Sequence, residues 1–327
     1  MPLPRHIQLY PTFRCNQRCS FCFNTTMPAS DSAYDMPYRD ALRLLSLCAA
    51  QGIPEIDIMG GEPLLLEWMP EFLRKGTAGG MRMNISTNGS LPAMMRRLAE
   101  IDRRLLTVGV SIEGSNMEQH GRLTRSAHFD DAVRSLSVLL DAGLDPLVKT
   151  VVNRATMPEI PGIIALVRDL GIRRYFLIHM DVLSGSPEEL QLSPCYPEFL
   201  GFFRKTRDEH PGMEINMVAA SCFDLHRLPG NVRCAGGVLK LAVAPDGSVY
   251  PCNLFIGVPD FNLGNVLSDG LDAIWNNHRL EFFRKRGENA CPQTACGCRP
   301  DCSGGCPAHG YYHFGDPAAP DIRCLQE

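Results

Sequence analysis

Apolar and polar positions alternate in two rhythms along the first 180 residues. Runs rich in apolar and β-branched residues fall at 6–10, 55–59, 81–86, 105–111, 146–152 and 175–180, the signature of short strands. Between them, residues 68–75, 93–101, 130–142 and 160–170 carry apolar positions three and four apart, the period of an amphipathic helix. Gly143 and Gly171 stand just past two of these stretches, where a helix ends. Six strands alternating with helices predict a parallel α/β sheet. Six rather than eight predicts a partial (β/α)6 TIM-like barrel, whose chemistry would sit on loops after the C-terminal strand ends. A doubly wound sheet is the alternative, but no Gly-rich dinucleotide fingerprint accompanies the pattern.

After about residue 185 the rhythm changes. Ser184-Gly-Ser-Pro187 reads as a loop, and a helix over 196–209 leads into a stretch rich in Cys, Gly and Pro. Residues 239–244 and 248–252 flank Pro245-Asp246-Gly247, a hairpin by composition. A short helix is expected over 271–277. The rest has too little periodicity to fold around an apolar core alone, so bound metal would supply the missing constraint.

Composition narrows the function classes. The 327 residues suffice for one large and one small domain. Lys+Arg 32 against Asp+Glu 36 gives a net charge of −4 with no long run of either sign, so nothing points to nucleic acid or an anionic membrane. No apolar stretch reaches the roughly 18 residues of a membrane span, and no signal core precedes the first motif. A cytoplasmic protein is expected, with its 14 cysteines reduced and available as metal ligands rather than paired in disulfides.

The strongest chemical signal is Cys15, Cys19 and Cys22, on the loop after the first strand. Three thiolates at this spacing can hold three irons of a cubane and leave the fourth open to a small molecule. A zinc site would want a fourth Cys or His, and the nearest candidates lie far along the chain. Gly60-Gly61-Glu62-Pro63 follows the second strand, with glycines that let backbone approach a ligand. Ser86-Thr87-Asn88-Gly89 and Ser111-Ile112-Glu113-Gly114 follow the third and fourth, and Asn153 ends the fifth. Each of these, taken alone, is also ordinary turn and capping chemistry.

Together the triplet and Gly60–Pro63 resemble the signature of the radical S-adenosylmethionine (SAM) enzymes. The resemblance implies a 4Fe–4S cluster on the three cysteines and SAM chelated to its open iron. One-electron cleavage would then yield a 5′-deoxyadenosyl radical that takes hydrogen from an unactivated carbon. By the same resemblance Gly60, Gly61, Glu62 and Pro63 would hold the methionine amino group. Ser86, Asn88, Ser111, Glu113 and Asn153 are further candidates for binding SAM, and Phe21 would lie near the adenine. Many relatives carry Asp at the place of Glu113.

Cys234, Gly247 and Cys252, followed by Cys291, Cys296, Cys302, Cys306 and Cys324, resemble the SPASM domain, which holds two auxiliary 4Fe–4S clusters. This implies three clusters in all. Cys222, Cys234, Cys252 and Cys306 are expected on the inner auxiliary cluster, and Cys291, Cys296, Cys302 and Cys324 on the outer. Four residues separate Cys291 from Cys296, where two are usual. Cys298 is an extra thiol: a ligand, a hydrogen-atom donor or a spare. Cys48 and Cys195 are read as structural. The organisation is then residues 1–185 radical SAM partial barrel, 186–221 bridge and 222–327 SPASM domain. A flavodoxin- or ferredoxin-like protein would supply electrons.

The expected activity is oxidation, epimerisation or cross-linking of a peptide, with a separate recognition protein because no fused recognition domain precedes the first strand. A small-molecule dehydrogenase, epimerase or tetrapyrrole side-chain modifier is the alternative. Sulfatase maturation is disfavoured, because those enzymes place Asp after the cysteine equivalent to Cys252 and this chain has Asn253.

Overall fold

In the computed structural model, which describes residues 3–28 and 34–325, every one of the six expected runs is a strand. The order is β1 (His6–Leu9), α1 (Tyr38–Ala50), β2 (Glu55–Ile58), α2 (Met69–Ala78), β3 (Arg82–Thr87), α3 (Pro92–Leu98) and β4 (Leu106–Ser111). Next come α4 (Met117–Thr124), α5 (Phe129–Asp141), β5 (Leu147–Val152), α6 (Ile160–Asp169) and β6 (Arg174–His179). The chain continues through α7 (Pro187–Leu192), α8 (Tyr196–Glu209), β7 (Glu214–Val218), β8 (Lys240–Val243) and β9 (Val249–Tyr250). It ends with α9 (Leu271–Trp275), α10 (Glu281–Arg284) and α11 (Pro307–Phe314).

These strands form one nine-stranded sheet in the order β7-β6-β5-β4-β3-β2-β1-β8-β9. Every pair is parallel except the β8–β9 hairpin. Three strands lie beyond the six of the barrel pattern: β7, and the β8–β9 hairpin expected around Pro245-Asp246-Gly247. β7 extends the sheet from inside the segment read as a bridge, and β8 joins the cysteine-rich region to β1, with His6 opposite Lys240. The sheet therefore runs through all three sequence segments.

One face of each strand is apolar and buried under helices: Ile7 and Leu9, Ile56 and Ile58, Met83 and Ile85, Val108 and Val110. Leu44, Phe72, Leu98, Leu136, Ile163 and Phe199 on the helices share that core. The other face is polar. Gln8 pairs in register with Asp57, and Asp57 with Asn84. This two-residue alternation leaves a polar interior wall below the loops at the C-terminal strand ends. No helix among the described residues is long and apolar enough to cross a membrane.

Candidate cofactor site and thiol cages

The loop after β1 stays beside β2 because the pairing continues past both strands. Met59 N donates to Leu9 O at 2.9 Å, Gly61 N to Thr12 O at 2.9 Å and Glu62 N to Arg14 O at 2.8 Å. Its far side is pinned to α4 by Arg18 N and Ser20 N, which donate to the carbonyls of Thr124 and Leu123. Cys15, Cys19 and Cys22 line a cavity of about 550 Å³. Phe21, Gly60, Gly61, Ser86, Asn88, Ser111 and Glu113 line it too.

Glu62, Pro63 and Asn153 stand behind this wall. The Glu62 carboxylate, 1 % exposed, accepts from Leu64 N at 3.0 Å, Thr87 Oγ1 at 2.8 Å and Asn88 N at 2.7 Å. It ties the loop after β2 to the end of β3, and burial pushes its carboxyl up to about 7. Asn153 Oδ1 accepts from Ala155 N and Thr156 N at 2.9 and 3.0 Å, an Asx turn that leads into α6. Glu113 reaches Val151 N at 3.0 Å, and burial pushes it up to about 8.

The site fits a cationic cluster and a polar ligand. Burial raises all three thiols, and Glu113, Cys22 and Cys15 act on Cys19 to raise it further. Three such sulfurs together are unfavourable as thiolates without a cation between them. Cys15 Sγ already receives Gln17 N at 3.4 Å and Asn88 Nδ2 at 3.8 Å. Gln17 Nε2 and Asn24 Oδ1, on residues that line the cavity, are buried with no hydrogen-bond partner among the described residues, so a bound molecule can satisfy them.

Two functional candidates escaped the sequence reading. Lys149 lies opposite Ser111 in the ladder and donates to Ser86 Oγ at 2.6 Å, passing over Gly109, where a Cβ would meet its Cε at 2.4 Å. Among the described residues no carboxylate lies within ion-pair distance of it, and burial lowers it to about 8. A lone Lys in a β-branched run carries no motif; only the register reveals it. Tyr10 is buried between the first cysteine loop and the C-terminal region. Asn253 bonds its hydroxyl, and Cys22 and Cys252 both act on it.

Beyond Tyr10 the second thiol group gathers. Cys222 and Cys306 act on one another, Cys306 also acts on Cys234 and Cys252, and Cys252 acts on Cys234. Cys222 is fully buried, so the sulfur with the weakest sequence support stands with the other three. Lys240 favours the thiolates of Cys234 and Cys252. His309 Nε2 accepts from Val182 N at 3.0 Å, and the ring stands beside Cys306 and favours its thiolate.

A second cavity, of about 290 Å³, is lined by Cys195, Cys291, Cys296, Cys298, Cys302 and Cys324. Cys298 lines this cavity and not the barrel cavity. Cys195, expected to be structural, precedes α8 as its N-terminal cap and lines the same cavity. None of the described cysteines is in a disulfide.

A family model described as the radical SAM superfamily matches residues 9–170, and one for the SPASM iron–sulfur cluster-binding domain matches residues 234–303. The chain is 26 % identical to an AdoMet-dependent heme synthase of Methanosarcina barkeri, over 98 % of its own length and 96 % of the relative's. It is also 26 % identical to a PqqA peptide cyclase of a Methylobacterium species, over 99 % and 86 %. Among solved structures it is similar to Streptococcus suis SuiB bound to precursor peptide SuiA. The TM-score is 0.81 at 17 % identity, over 100 % of this chain and 77 % of that one. That likeness concerns the fold.

Proposed function

Because this chain belongs to the radical SAM superfamily and carries a C-terminal SPASM domain, we propose that it oxidatively modifies a peptide. The observation that carries this is the match, over nearly the whole chain, to PqqA peptide cyclases. The fold shared with SuiB, which was captured with its precursor peptide, agrees with it.

Cys15, Cys19 and Cys22 would hold the first 4Fe–4S cluster. With SAM bound, it supplies one-electron cleavage and hydrogen-atom abstraction. The chain's own residues do the rest. Gly60 and Gly61 present bare backbone to the methionine end of SAM. Glu62 acts from behind as a positioning residue, holding that backbone against Asn88. Ser86 and Ser111 face the cavity, and the Lys149 ammonium behind them is available to the SAM carboxylate. Phe13, Phe21, Met59 and Val151 make the apolar part of the wall and exclude water.

An oxidative outcome requires somewhere for an electron to go. Cys222, Cys234, Cys252 and Cys306 would hold an auxiliary cluster beside Tyr10. A flavodoxin- or ferredoxin-like donor would reduce the first cluster. The heme synthase relative supports a second reading, modification of a tetrapyrrole side chain.

The test is anaerobic turnover of the reconstituted chain with SAM, reductant and either short peptides encoded beside its gene or a carboxylated tetrapyrrole. The peptide reading expects 5′-deoxyadenosine release coupled to loss of hydrogen from a peptide by mass spectrometry. Turnover coupled only to the tetrapyrrole would replace it. Iron and sulfide near twelve per chain are expected for three cubanes; about four would remove the auxiliary clusters.

A further inference from the structure

The outer cavity holds more sulfur than one cubane needs. Six thiols line it, whereas a 4Fe–4S cluster takes four. The surplus is not evenly placed. Cys298 lies two residues from Cys296 on the wall of the same cavity and is acted on by it, so the two compete for one position. Between them they offer one corner. Cys291 stands two residues further from Cys296 than the usual spacing, with Gln293 in between. Its backbone carbonyl is held by Arg299 at 2.6 Å.

Cys195 reaches the cavity from the opposite side. It caps the 14-residue helix α8, and it acts on Cys324 without bonding it. The next residue in the chain, Tyr196, lines the same cavity as Cys195 and Cys324. The Tyr196 ring stacks on Phe223 with centroids 4.3 Å apart, and Phe223 follows Cys222 of the inner cage. The start of α8 is thus built into the wall between the two thiol groups.

We propose that Cys195 is an iron ligand of the outer auxiliary cluster, in the place that the spacing of Cys291 leaves poorly filled. The outer cluster then bridges the sheet-bearing half of the chain and the C-terminal segment, rather than belonging to the latter alone. This rests on the cluster reading above.

The full chain, reconstituted anaerobically, provides the test by two routes. In the loaded wild type, Cys195 should resist iodoacetamide until iron is chelated. In Cys195→Ala, iron should fall from about twelve to about eight per chain, or the outer-cluster electron paramagnetic resonance signal should change. Cys48→Ala, on the buried face of α1, should keep both. Equal alkylation of Cys195 with and without iron, or an unchanged iron content and spectrum in Cys195→Ala, overturns the assignment while leaving the three-cluster reading intact. A wild type holding only about four irons overturns both.

Discussion

Glu62 illustrates how a motif residue acts without touching the cavity. Three donors converge on a carboxylate that solvent does not reach. Glu62→Ala leaves Leu64 N, Asn88 N and Thr87 Oγ1 unsatisfied, which should cost at least about 2 kcal/mol. Urea denaturation and the affinity for SAM should fall together. At Gly61 a Cβ would meet Arg14 O at 2.1 Å, a backbone atom that cannot step aside. Gly61→Ala should therefore lose SAM cleavage, measured as 5′-deoxyadenosine, while the C-terminal thiol groups keep their iron. Lys149 adds a pH dependence. It binds a carboxylate only as the ammonium, and burial brings its ionisation down to about 8. SAM affinity should hold below that pH and weaken as pH rises through it. Lys149→Met should bind about tenfold or more weakly at pH 7 and lose this dependence, as equilibrium dialysis would measure.

At the scale of elements, the strands declared themselves through alternation and their connecting helices through three-and-four spacing. β7 did not. Glu214–Val218 has one fully buried residue, Ile215, because an edge strand meets a neighbour on one side only and needs little apolar surface. α4 was missed because of the three residues it buries, His120, Leu123 and Thr124, only one is apolar. Asn153 separates capping from cofactor binding. Asn153→Ala should cost about 1 kcal/mol of stability through the lost turn before α6, with SAM affinity unchanged. A matching loss of SAM affinity would return it to the binding residues.

For the molecule as a whole, the joint between the sheet and the C-terminal segment is ionic and dry. Arg323 is fully buried. It donates to Asp321 at 2.9 and 2.8 Å, to Met180 O at 2.8 Å and to Asp181 at 3.2 Å. Asp321 in turn receives Cys306 N at 3.0 Å. Removing one partner of such a group strands the others. Arg323→Met should destabilise the chain by about 3–5 kcal/mol, with limited proteolysis opening the C-terminal segment first.

The chemistry of this protein was legible in the order of its residues. The cysteine triplet, the Gly-Gly-Glu-Pro turn and the strand–helix alternation are local patterns, set by covalent spacing and by which face each element must bury. They marked the loops that carry the barrel cavity and most of its lining. What only the tertiary structure decided is which distant groups share a space. Cys222 joins Cys306 across 84 residues of sequence, from Cys222 to Cys306. Lys149 meets Ser86 over two strands of register, and Cys195 turns from a loop thiol into part of the outer wall. β8 pairs with β1 from the far half of the chain, so even the limit of the barrel is set by strand order in space. Spacing along the chain encodes a ligand set only when the ligands are neighbours. When they come from separate elements, packing of those elements decides the set.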